Sequence, residues 1–215
     1  MEPTREVRAH PFWLAWANRP ARAMAWTLVV SLAVAVGTLA LHGTAALGWR
    51  AATRTTAQVA YPLFLLAFVA SPLARLWPGP RTRAVLARRR ALGLAFATAH
   101  LVHGMAILVL ASRVPGTLEA DVAFWGGALG FAFVVAMAAT SNDAAQRALG
   151  GGRWRALHGS GQWILFVIFA VTYAGRFAEN PRYAPGVALL GLALALRLAA
   201  AIQSRSLRSR TLPIE

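Results

Sequence analysis

The sequence predicts an all-α integral membrane protein, a six-helix bundle with both termini cytoplasmic, and three observations carry that prediction. The 215 residues are 58% hydrophobic and only 13% charged, with a mean hydropathy of +0.52, against about 45–50% apolar and about 25% charged in ordinary soluble domains. Six apolar stretches approach the roughly 20 helical residues that a bilayer core requires. All 22 basic residues are arginines, set against 7 acidic ones for a formal charge of +15. They fall between the apolar runs, where loop charges set topology and meet anionic lipid. A nucleic-acid partner is therefore not expected.

The spans lie at about 24–43, 57–77, 91–112, 122–140, 159–177 and 184–203, and they make residues 1–215 a single transmembrane domain with no room for a soluble one. The first follows Arg5, Arg8, Arg19 and Arg22 as a secretory signal would, but the run from Met24 to Leu41 exceeds the roughly 7–15-residue core of a cleaved signal. It reads as a retained span. The second contains Pro62 and Pro72, each lacking a backbone donor that a neighbour must replace. Pro78-Gly79-Pro80 ends it, and Arg88-Arg89-Arg90 opens the third, which Pro115-Gly116 closes. The fourth holds Gly126 and Gly130 at a small-xxx-small spacing, best read as ordinary helix packing. The fifth follows Gly150-Gly151-Gly152, and the sixth follows Pro181 and Pro185.

Arginine placement orients the bundle. The N-terminal segment, the second loop (Arg75, Arg81, Arg83, Arg88, Arg89, Arg90), the fourth loop (Arg147, Arg153, Arg155) and the C-terminal end (Arg197, Arg205, Arg208, Arg210) are rich in it. The remaining loops hold only Arg50, Arg54, Arg113, Arg176 and Arg182, with Glu119, Asp121 and Glu179. The positive-inside rule puts the richer set in the cytoplasm. Arg197 lies within the sixth span near that side and is expected to snorkel outward.

Without cysteine the chain has no disulfides, thiolate metal sites, iron–sulfur clusters or covalently attached haem. A metal or cofactor must rest on histidine, carboxylate, methionine or backbone groups. Of five histidines, His10 falls in the N-terminal tail and His42 at the outer end of the first span. At ~1.5 Å per residue from Arg90, His100 is roughly 15 Å and His103 roughly 20 Å into the membrane, while His158 is about 5 Å from the boundary at Arg155. His100 and His103 share one helix face. Gly93, Ala97, His100 and Gly104 form a stripe on which a flat cofactor could approach the backbone. Neutral imidazole suits iron, and a b-type haem needs axial histidines in an apolar slot. The plainer role for such rings is hydrogen bonding across helices. His158 and Gln162 lie one turn apart on the fifth span. No hydrolase triad or metalloprotease pattern is present, and no carboxylate sits at membrane depth.

Arg-Arg-Arg-Ala-Leu-Gly-Leu at 88–94 followed by His103, then Thr-Ser-Asn-Asp-Ala-Ala-Gln-Arg-Ala-Leu-Gly at 140–150 and Trp-Arg-Ala-Leu-His at 154–158, resemble the ferric-reductase-like transmembrane domain. The nearest likeness is to the haem-binding membrane subunit of bacterial periplasmic methionine sulfoxide reductase systems, and it runs from about Ala57 to Arg176. The resemblance implies an inner-membrane oxidoreductase subunit in which the third and fifth helices hold one or two b haems. Electrons would pass from quinol or a cytoplasmic donor to an extracytoplasmic redox protein. It puts His103 at the deep third-helix ligand position and His158 at the shallow fifth-helix one. The haem candidates are thus His100, His103 and His158, flanked by Gly93 and Gly104.

The second fifth-helix histidine of the family would fall at Val171, beside Thr172 and Tyr173. His103 and His158 also differ in depth by roughly 15 Å, whereas the axial ligands of one haem share a depth. Three outcomes stay open: an unusually ligated haem, a tilt that closes the gap, or a haem-free branch acting as scaffold or small-molecule permease.

Overall fold

The computed structural model describes Ala17 and residues 19–210, the last four without their side chains; the expectations for Arg5, Arg8 and His10 lie outside these residues. It is all-helical, with no strand among the described residues. Among the described residues seven α-helices follow in order: α1 (Pro20–His42), α2 (Ala46–Leu76), α3 (Pro80–Ala87), α4 (Arg89–Arg113), α5 (Val122–Ala139), α6 (Asp143–Glu179) and α7 (Ala184–Arg210), with a 3-10 turn at Pro181–Tyr183 before the last. All but α3 are long and apolar enough to cross a membrane, as the six expected spans require.

Several helices extend beyond the apolar windows, and the starts of α5 and α6 are set by capping side chains. Asp121 caps α5 by accepting from the Phe124 amide at 2.7 Å, and Asn142 caps α6 by accepting from the Ala145 amide at 2.8 Å. α6 therefore begins well before the expected span and carries Arg147, Arg153 and Arg155 in helix, where a loop was expected. The glycine break survives inside it: Gly150 has φ 74° and ψ 151°, a conformation essentially confined to glycine. α3 was not expected. Pro80 starts it, Thr82 Oγ1 accepts from the Gly79 amide and donates to the Trp77 carbonyl, and Val85 buries its one apolar anchor.

The bundle is built around α2. Half of its most apolar window is buried, against 11% for α1 and α5, and it packs on α1, α3, α4 and α7. α6 packs on α5 and α7, while α4 and α6 make almost no close backbone approach. What joins them is a column of rings: Phe64 stacks on Phe169 at 4.9 Å, Phe68 on Phe166 at 4.9 Å, and Phe96 lies 5.4 Å from Phe64. Farther along, Tyr61 stacks on Tyr173 at 4.3 Å and its hydroxyl donates to the Gly186 carbonyl at 2.6 Å. Such a column buries large apolar area and supplies the shape constraints of aromatic packing.

One end of the bundle collects Arg75, Arg88–Arg90, the α5–α6 connection and Arg197. The opposite end carries Arg113, which donates to the Thr44 carbonyl at 3.2 Å, and Arg176 and Arg182 over the ring of Tyr183.

Candidate functional site

At the arginine-rich end a cavity of about 650 Å³ opens in the seam between α4 and α6. α2 contributes Phe64, Phe68 and Arg75, α4 contributes Arg89, Gly93 and Phe96, and α6 contributes His158, Gln162 and Trp163. Arg197 enters from α7, and among the described residues no carboxylate lines the wall.

The motif residues quoted above meet at the mouth of this cavity. Arg90 donates through Nε to the Ser141 carbonyl at 2.6 Å and pairs with Asp143 at 2.7 Å, the single ion pair among the described residues. Trp154 Nε1 donates to the Thr140 carbonyl at 3.0 Å, satisfying one of the acceptors that the end of α5 leaves open. The same indole stacks on His158 at 4.2 Å. Thr140 gives its hydroxyl hydrogen to Ala136 O at 2.7 Å, so at 3.0 Å it accepts from His158 Nε2 and leaves Nδ1 as the lone-pair nitrogen.

Deeper in the seam His100 and His103 sit 5.5 Å apart, ring to ring. His103 Nδ1 lies 3.0 Å from the Thr53 carbonyl and 3.4 Å from Thr56 Oγ1. A carbonyl only accepts, so Nδ1 carries the proton and Nε2 keeps its lone pair, the tautomer that a metal-binding histidine takes when a backbone oxygen orients it. His100 Nδ1 is buried without a hydrogen-bond partner, amid Phe96 at 5.2 Å, Phe131 at 4.5 Å and Phe169 at 6.3 Å. That orphaned nitrogen is costly where water is excluded.

The expected site residues thus divide. Gly93 and His158 line the cavity; His100, His103 and Gly104 lie beyond it. The groove expected at Gly104 is filled by Phe131, whose ring would be 2.8 Å from a Cβ there. No group of three or more histidine and acidic side chains converges among the described residues. His42 is exposed at the end of α1. Val171 is 68% exposed, so the outer surface of α6 occupies the counted ligand position, while Phe169 and Tyr173 take the inner face.

Two residues matter more than their sequence context suggested. Gln162 Oε1 accepts from Arg89 Nη2 at 3.0 Å and from Arg197 Nη2 at 2.5 Å. Arg197 does not snorkel outward: its guanidinium lies 3.9 Å from the centroid of Phe68 and 5.2 Å from that of Trp163. Its Nε donates at 3.3 Å to Phe68 O. The reason lies in α2, where Pro72 has no N–H to give that carbonyl. The pairing of an internal proline with an arginine six residues inside the end of the last apolar run was the available signal.

For a b-type haem, the donor chemistry fits one histidine at a time. His103 and His158 each have one nitrogen held as donor and the other left for a metal, and two helices bearing histidines stand apart. The two do not face one another across a common slot.

No family model, curated protein or solved structure matches the chain.

Proposed function

We propose that this chain is a b-type haem-binding electron-transfer subunit of the ferric-reductase-like kind, lying in a bacterial inner membrane with both termini cytoplasmic. Its donor would be quinol or a cytoplasmic carrier and its acceptor an extracytoplasmic redox protein. The observation that carries the reading is His103, deep in an apolar seam and held through Nδ1 by the Thr53 carbonyl so that Nε2 is free. Hydrogen bonding of this kind fixes ring orientation and raises ligand basicity. His158, held by Thr140 and Trp154 beside the cavity, is the second candidate ligand. A bound haem supplies one-electron chemistry that the side chains lack. The chain's own part is to orient imidazoles, exclude water with Phe96, Phe131 and Phe169, and fix the arginine-rich end toward the cytoplasm by the positive-inside rule.

The test is haem content per polypeptide in the purified wild type, His103→Ala and His158→Ala after expression with ample haem. Loss of haem in His103→Ala with retained fold is expected. Equal haem in all three, or none in the wild type, contradicts the reading.

A haem-free scaffold or small-molecule permease is the second reading. It is favoured by the separation of His103 from His158 and by the outward-facing Val171. Unchanged stability and partner activity in His103→Ala would select it.

A further inference from the structure

We infer that the cavity at the arginine-rich end binds the phosphate group of an amphiphile, with Arg89 and Arg197 as its ligands and Gln162 as the hinge between them. This goes beyond the haem reading and stands without it, since it rests on the guanidiniums and not on the histidines.

The chemistry begins with charge. Arg75, Arg89, Arg90, Arg155 and Arg197 all line one cavity, and among the described residues its wall contains no acidic side chain. Asp143 lies outside the wall and pairs with Arg90. Arg89 and Arg197 share a single neutral acceptor, Gln162 Oε1. Two cations on one amide oxygen repel, and they repel more strongly at membrane depth than in water. Their remaining bonds go to backbone carbonyls, Arg89 Nε to Ala67 O and Arg197 Nε to Phe68 O, each at 3.3 Å. Those bonds aim the guanidiniums but bring no negative charge.

An anion supplies what is missing. Guanidinium forks match oxyanions with several acceptor oxygens, and two forks side by side match phosphate. The accessible part of the remaining wall, with Trp163 and Leu198, is apolar and suits a hydrocarbon body. A lipid headgroup and free phosphate share this chemistry, and binding experiments separate them.

The test uses the full-length chain in neutral detergent. Its thermal unfolding midpoint is measured with a short-chain phosphatidylglycerol, the phosphatidylcholine of equal chain length, or inorganic phosphate. A saturable upward shift with phosphatidylglycerol that exceeds the phosphatidylcholine shift, and that is lost in Arg89→Gln and Arg197→Gln, supports the assignment with a lipid source. The same arginine-dependent shift with inorganic phosphate supports it with a soluble source.

Gln162→Glu serves as a second variant should the arginine variants fail to fold. It gives the pair an internal counter-charge, so the ligand-free midpoint should rise while the ligand-induced shift falls. No shift with either anionic probe, or a shift that persists undiminished in Gln162→Glu, overturns the proposal. A wild type without haem would contradict the function proposed above and leave this result untouched.

Discussion

At the scale of single residues, Arg197 shows what position alone conceals. Its place near the end of an apolar run suggests a side chain reaching for water, and its depth allows that. What turns it inward is Pro72 on another helix, which leaves Phe68 O needing a donor. Removing a buried partner leaves the full desolvation penalty, about 1–3 kcal/mol. Arg197→Ala is therefore expected to lower unfolding free energy in detergent by that order. In a Pro72→Ala background, where a backbone N–H returns, the loss should be smaller. Equal losses in both backgrounds, read by a double-mutant cycle, would show that the proline and the arginine are uncoupled. The histidines were legible as residues: their depth and shared face follow from helical geometry. Their partners were not, because Thr53 O and Thr140 Oγ1 belong to neighbouring helices and no local pattern announces them.

At the scale of elements, hydropathy located every span but not its ends. α6 shows why, since Asn142 begins a helix in polar sequence and Gly150 bends it before the apolar part starts. Gly150→Ala forces a side chain into a glycine-only region and should cost about 1–3 kcal/mol, measured as a lowered unfolding midpoint. Elsewhere on the same helix rotation about the axis turns Val171 outward, and Phe169 and Tyr173 take that height of the inner face. On α4 the glycine stripe is open at Gly93 and closed at Gly104, where Phe131 comes in from α5. Gly104→Ala should destabilise by about 1–3 kcal/mol through overpacking, and Phe131→Leu in the same chain should recover much of it. Wild-type unfolding of Gly104→Ala would contradict close packing of Phe131 against α4.

At the scale of the whole molecule, the fold is two groups of helices joined along a seam. α1, α2 and α4 pack together, α5 and α6 pack together, and α7 bridges α6 to α2. The seam keeps the two histidine-bearing helices apart, fills its deeper part with rings, and leaves a cationic cavity at the arginine-rich end. That the chain forms a multi-span helical bundle was plain from composition, because six long apolar runs in 215 residues leave no other architecture that satisfies the backbone in lipid. That the arginines divide into an inward set and a loop set was not plain, since the positive-inside rule reads their number and not their direction. Residues from α4, the α5–α6 connection and α6 meet at one junction, with Arg90, Ser141, Asp143, Thr140, Trp154 and His158.

Haem binding is the claim on which the proposed function stands. The most direct measurement is the absorption spectrum of the purified full-length chain, expressed with ample haem, recorded oxidised and then reduced with dithionite. The account predicts a Soret band that sharpens and shifts on reduction and is weakened in His103→Ala. A flat visible spectrum from well-folded protein would contradict it.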